Sequence, residues 1–176
     1  EEAAVETAER LFHDRGYDGV GVAELGAAMG IGAPSLYAAF GSKVGLFERA
    51  LAVYEQQNGG ILAEILQREG PVSDLLPLYL EEAARFFSRP GEPCGCMVLS
   101  GTWNSGDAEA VALTARLKEA GRERIRDRIA RERPQDAERL ADFTVSVMSG
   151  LSAMAREGVG RDRLLAAARA AAPAYA

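Results

Sequence analysis

Tyr37 and Lys43 are the side chains with usable chemistry in a stretch, residues 33–43, that is otherwise small, apolar or weakly polar. The chemistry they suit is contact with an anion. Ser42 is a natural N-cap, so Lys43 stands at the first position of the helix that follows, where the positive end of the macrodipole disfavours a cation by roughly 0.3–1 kcal/mol. A phosphate bound jointly by Lys43 and the free N–H groups of that helix start would offset the cost. A second constellation, Cys94-Gly95-Cys96, offers thiols at C-x-C spacing. Zinc takes about four ligands, and the chain has only these 2 cysteines and 1 histidine, His13. No metal and no cofactor is therefore expected. Oxidation is the chemistry open to the thiols if one has a lowered pKa, and buried packing is the plain alternative.

Catalysis has no comparable signal. No nucleophile is paired with a base, the single histidine falls in the first helical pattern, and no Gly-rich phosphate loop follows a strand. The chain is not expected to be an enzyme. At 176 residues with 48% hydrophobic content it can build a sizeable core. Ala, Leu, Glu and Arg dominate over β-branched residues, which favours an all-α fold. No apolar run approaches the roughly 20 residues of a membrane span and no signal-peptide pattern opens the sequence. A cytoplasmic protein with no membrane partner is expected.

Two short helices must position Tyr37 and Lys43. Residues 22–29 carry Leu25, Ala28 and Met29 on one face, and residues 33–40 carry Leu36 and Phe40 four apart. Gly30 stops the first where the chain turns sharply, and Pro34 sits in the first turn of the second, where its missing N–H costs nothing. What stays outward on the second helix is Ala33, Ser35, Tyr37, Ala38 and Ala39, a low surface that lets a helix approach the floor of the major groove. Two helices joined in this way outline a helix-turn-helix reader of double-stranded DNA.

Residues 1–54 resemble the N-terminal domain of the TetR/AcrR family of transcriptional regulators. The resemblance rests on Ala8-Glu9-Arg10-Leu11-Phe12, Arg15-Gly16-Tyr17, Val22 to Met29, Gly30-Ile31, Ser35-Leu36-Tyr37, and Phe40-Gly41-Ser42-Lys43 followed by Leu46-Phe47. It implies a three-helix DNA-binding head at 1–45 and a helical ligand-binding and dimerisation body at 46–176. It also implies a repressor that binds a palindromic operator as a homodimer and is released by a small apolar effector. Ser35, Tyr37 and Lys43 match the family's polar contacts, with Ala33, Pro34 and Ala38 beside them on the DNA-facing side. The chain departs from the pattern where hydroxyls are usual, at Val20, Gly21 and Gly32, and where basic or aromatic groups are usual, at Ala33, Ala38 and Ala39.

Charge opposes this reading within the head. Up to residue 47 the bases are Arg10, Arg15 and Lys43, against Glu1, Glu2, Glu6, Glu9, Asp14, Asp18 and Glu24. A basic arm preceding Glu1, usual in the family, is the expected compensation. Further on, Arg116, Lys118, Arg122, Arg124, Arg126, Arg128, Arg131 and Arg133 are interleaved with Glu119, Glu123, Asp127 and Glu132, the mark of a solvated helix face.

The body reads as helices over 42–58, 61–68, a third capped by Ser73 and broken at Pro90, then 107–133, 136–157 and 162–172, with stops at Gly59-Gly60 and Gly158-Val159-Gly160. Leu140, Phe143, Val147 and Leu151, with Leu164, Leu165 and Ala168, form apolar stripes on the last two helices. By the resemblance these pair with a second copy as a four-helix bundle. Phe86, Phe87, Met97, Trp103, Phe143 and Met148 are the large or adaptable groups that can line an apolar effector cavity. Two other readings stay open: a redox-responsive regulator using Cys94 and Cys96, and a dimeric helical scaffold that binds no DNA.

Overall fold

The computed structural model describes residues 2–176; Glu1, counted above among the acids of the head, lies outside them. The described residues form α1 (Glu2–Arg15), α2 (Val22–Met29), α3 (Ala33–Phe40), α4 (Lys43–Gln67), α5 (Val72–Phe87), α6 (Met97–Ser100), α7 (Ala108–Ala130), α8 (Ala137–Arg156) and α9 (Arg161–Ala170). A 3₁₀ turn, Ala172–Tyr175, follows them. The all-α expectation holds, and none of these helices is long and apolar enough to cross a membrane.

The chain divides into two compact units. The first comprises the residues up to Gly59 together with Cys96–Arg116, and the second Gly60–Gly95 with Leu117–Ala176. In the first, α1 packs on α2 and on α6, and α2 on α3. Its centre is aromatic: the ring centroids of Phe12 and Phe47 are 5.0 Å apart, as are those of Tyr17 and Phe47. His13 is buried here, with Glu9 at 3.6 Å and the Tyr54 ring edge-on at 5.0 Å, so it serves packing. In the second unit α5 is central and carries α8, α9 and the 3₁₀ turn. Leu76, Leu80, Ala83 and Ala84 of α5 are shielded from solvent completely.

Three expectations about helix boundaries need correction. Helix α4 does not stop at Gly59-Gly60 but runs unbroken to Gln67, absorbing the helix placed at 61–68. Each glycine costs about 1 kcal/mol relative to alanine inside a helix. Buried Leu51 and Tyr54 on one side and Ile65 and Leu66 on the other anchor the flanking turns. Ending and renucleating the helix would cost more than two glycines do. The division into units falls at this pair. Ser73 does not cap α5: Pro71 occupies that position, and the Glu132 carboxylate accepts the Val72 N–H at 2.9 Å from 60 residues away. The charged helix ends at Ala130 rather than 133.

Candidate nucleic-acid interface and the helical body

The turn between α2 and α3 is built as its residues require. Gly30 adopts φ +69° and ψ +25°, a left-handed C-cap, and its N–H reaches the Ala27 carbonyl at 3.2 Å. Gly26, unremarked in the sequence, is the second requirement. A Cβ there would lie 2.7 Å from the Ile31 carbonyl oxygen, and the Ile31 N–H donates to the Gly26 carbonyl at 2.9 Å. The hydrogen bond brings the two backbones too close for a side chain. Leu25 and Leu36 are fully buried and Phe40 is buried, so they seal α2 and α3 onto the head; Ala28 faces solvent instead of joining them.

Along α3, Pro34, Ser35, Tyr37, Ala38 and Ala39 are exposed and Ala33 is half-buried. Tyr37 is one of the few large apolar or aromatic side chains left facing solvent, at 49% exposure. No tertiary demand explains a phenol there. Ser42 caps α4 as expected, its Oγ accepting the Gly45 N–H at 3.0 Å.

Lys43 has a partner within the chain. Its Nζ lies 4.1 Å from the centroid of the Tyr17 ring. The Tyr17 hydroxyl donates to Asp107 Oδ2 at 2.7 Å, and Asp107 Oδ1 accepts the N–H groups of Glu109 and Ala110 at 3.1 and 3.2 Å, capping α7. The Lys43 ammonium is held below the ordinary lysine value by burial, against the opposing pull of Asp18 and Asp107. Burial and then the hydrogen bond to Asp107 push the Tyr17 phenol up, and that same bond leads the causes that hold the Asp107 carboxyl down. Sequence reading missed Tyr17 and Asp107 as site residues. They are 90 positions apart, so no local spacing joins them.

Of the head's other bases, Arg15 is paired with Glu24 and also donates to the Gly19 carbonyl at 2.6 Å. The Arg49 guanidinium stands 5.5 Å over the Phe40 ring, beside the end of α3. Local charge pairing also governs the arginine-rich helix. Arg122 binds Glu138 and Asp142 of α8, the latter at 2.6 Å, and Arg126 binds Asp127 at 2.8 Å. Arg128 instead turns inward and donates to the Gly70 carbonyl at 2.5 Å.

The residues expected at a subunit interface separate into two sets. Leu140, Leu151, Leu164 and Ala168 are buried inside their own unit, where α8 and α9 pack on α5. In the single protomer these four serve its own core, as an apolar stripe at helical spacing can. Phe143, Val147 and Leu165 remain half-buried, and Gly150 and Met154 continue the α8 face on which Phe143 and Val147 lie.

The residues expected to line an effector cavity are likewise divided. Met97 and Trp103 belong to the first unit and Phe86, Phe87, Phe143 and Met148 to the second. Phe87, Met97 and Met148 are buried, whereas Trp103 is 54% exposed. Phe86 carries the Arg89 guanidinium 4.2 Å over its ring, and Phe143 meets Tyr175 edge-on at 5.8 Å. Cys94 is exposed and Cys96 half-buried, and neither is joined in a disulfide. The phenol of Tyr54 is pushed well up, first by burial and then by its neighbour Cys96. Among the described residues no group of three or more His, Cys, Asp or Glu could hold a metal ion.

Comparison with known proteins places these features in a wider set. Residues 4–50 match the profile described as bacterial regulatory proteins, tetR family. The chain is 47% identical over 167 residues to the HTH-type transcriptional repressor BdcR of Escherichia coli K12, spanning 95% of this chain and 84% of that protein. It is 30% identical to the HTH-type transcriptional repressor ComR of the same organism, spanning 93% and 83%. A cysteine mutant of the TetR family transcriptional regulator CifR, complexed with a 26-base-pair operator duplex, superposes with a TM-score of 0.90 at 33% identity. That match covers 100% of this chain and 96% of the other.

Proposed function

The chain belongs to the TetR family of bacterial transcriptional regulators, and from that premise we propose that it is a homodimeric repressor that reads a palindromic operator with α3. It is a DNA-binding regulator and not an enzyme. The observation that supports the assignment of α3 is its outward surface, where Tyr37 stands exposed among Pro34, Ser35 and Ala38 with no packing role. Small neighbours let the helix backbone descend into the major groove while the phenol reaches a base edge or a phosphate. Lys43, at the start of α4, contributes a phosphate contact. The functional head is residues 1–45 and the body 46–176.

A palindrome requires two recognition helices about one DNA turn apart, and the half-buried face of α8 with Leu165 of α9 supplies the pairing surface. Release by a small apolar effector requires two conformations that differ in affinity for it, and α4, continuous from head to body, is the element to transmit the difference. The solved relative in complex with operator DNA supports the DNA-binding half of this reading. Such a regulator works in the cytoplasm. The test is an inverted repeat from the DNA upstream of the coding region, titrated by fluorescence anisotropy. Tight binding at a stoichiometry of two chains per repeat supports the reading, and equal affinity for scrambled duplex refutes it.

The exposure of Cys94 favours redox control as a second reading. Peroxide should then release the operator, and a double Cys94→Ser, Cys96→Ser variant should not respond. Membership in a family of DNA-binding regulators leaves the scaffold reading without support.

A further inference from the structure

Lys43 is a helix-start lysine with an aromatic ring beneath it and an anion bound by that ring's hydroxyl. The ring holds the ammonium 4.1 Å from its centroid without accepting any one of its three N–H donors in a directed hydrogen bond. Asp107 does not capture the ammonium for itself: Oδ2 is engaged by the Tyr17 hydroxyl and Oδ1 by two backbone N–H groups of α7. Tyr17 is in turn anchored through its own N–H, which donates to the Gly101 carbonyl at 2.7 Å, and through its ring against Phe47. The result is a lysine whose long stem is ordered before any ligand arrives, while its donors stay available. A lysine side chain that must be ordered at the moment of binding loses rotamer entropy then.

We propose that Tyr17 and Asp107 are positioning residues for operator binding, holding the Lys43 ammonium over the Tyr17 ring in the place from which it meets a DNA phosphate. The inference rests on the reading of Lys43 as a phosphate contact. It adds a residue outside the helix-turn-helix, the N-cap of α7, to the determinants of DNA affinity.

The phosphate contact and its positioning are separable by a double-mutant cycle on the full chain, with operator affinity measured by anisotropy over a range of salt. Tyr17→Phe keeps the ring and removes the hydroxyl; Asp107→Asn keeps an oxygen to cap α7 and removes the charge. Each should weaken operator binding roughly 3- to 10-fold, the net contribution of a typical hydrogen bond. Each should also lower the salt slope toward that of Lys43→Ala, which loses about one unit. In the Lys43→Ala background neither should weaken binding further, because the residue they position is gone. Thermal melts of Tyr17→Phe should show a folded protein, so that the slope reports contact and not fold. Equal penalties with and without Lys43 would show a general structural role and overturn the proposal, as would full affinity in both single variants. If Lys43→Ala itself leaves affinity and slope unchanged, the phosphate contact fails and the positioning role falls with it.

Discussion

Thr144 and Tyr175 share a buried hydrogen bond, hydroxyl to hydroxyl at 2.8 Å, that ties the 3₁₀ turn near the chain's end to the middle of α8. Neither side chain is reached by solvent, and the Thr144 Oγ1 also donates to the Leu140 carbonyl at 2.7 Å. In that arrangement the Tyr175 hydroxyl is the donor to Thr144. Tyr175→Phe removes one bond yet leaves Thr144 its other partner, so it should cost only about 0.5–1.5 kcal/mol. Tyr175→Ala also empties the space against Phe143 and should cost about 3–5 kcal/mol. Urea denaturation distinguishes the two, and equal losses would contradict this account.

Gly26→Ala should damage the head out of proportion to the size of a methyl group. The added Cβ meets the Ile31 carbonyl at 2.7 Å, and backbone must move to admit it. A loss of about 1–3 kcal/mol is expected, with operator affinity reduced as the angle between α2 and α3 changes. Unchanged melting and binding would show that the turn is softer than its geometry.

Tyr37→Ala should leave stability and oligomeric state as they are, since the side chain is exposed. Operator binding should weaken by about 1–3 kcal/mol if the phenol reads a base edge. Anisotropy with specific and scrambled duplexes measures both terms. An unaltered preference for the operator would remove Tyr37 from the readers.

Charges placed on the two faces of α8 should have opposite consequences. Leu151→Asp puts an unpaired charge into the protomer's own core and should unfold it, at a cost of several kcal/mol. Val147→Glu lies on the half-buried face and should yield a folded monomer with reduced operator affinity. Light scattering and circular dichroism together separate the cases; a dimeric Val147→Glu variant would place the interface elsewhere.

Acid sensitivity should pass in part through Glu81. Arg169 of α9 donates to its carboxylate at 3.1 Å and Arg85 at 3.0 Å, and these two, Arg169 first, hold the carboxyl below its ordinary value. A group with a depressed folded pKa stabilises above its unfolded value, about 4.3 for glutamate. That contribution disappears as pH falls through the lowered folded value. Glu81→Gln should therefore lose less stability than the parent chain on acidification below about pH 4.3, and be slightly less stable at pH 7. Parallel pH–stability curves for the two would rule the pair out.

The DNA-binding head was legible in the sequence because its decisive features are local. Gly30, Pro34 and Ser42 act through their own backbone conformation or through N–H groups within three residues. Leu36 and Phe40 reveal their face by helical spacing alone. Physical interactions of that range leave their mark on neighbouring letters, and the order of elements from α1 to α4 follows from them.

Tertiary structure decided everything that depends on distant partners. Periodicity marks Leu140, Phe143, Val147 and Leu151 as apolar, yet burial against α5 or against a second copy exerts the same selection on residue type. Only the packing assigns Leu140 and Leu151 to the core and leaves Phe143 and Val147 nearer the surface. Gly59-Gly60 reads as a stop, and anchoring of the turns on either side overrides it. Tyr17, Lys43 and Asp107 carry no mutual signal, since their meeting depends on how α6 and the start of α7 return to α1. A hydrogen bond across 90 residues is written in the fold, because the energy that selects it exists only once the chain has closed on itself.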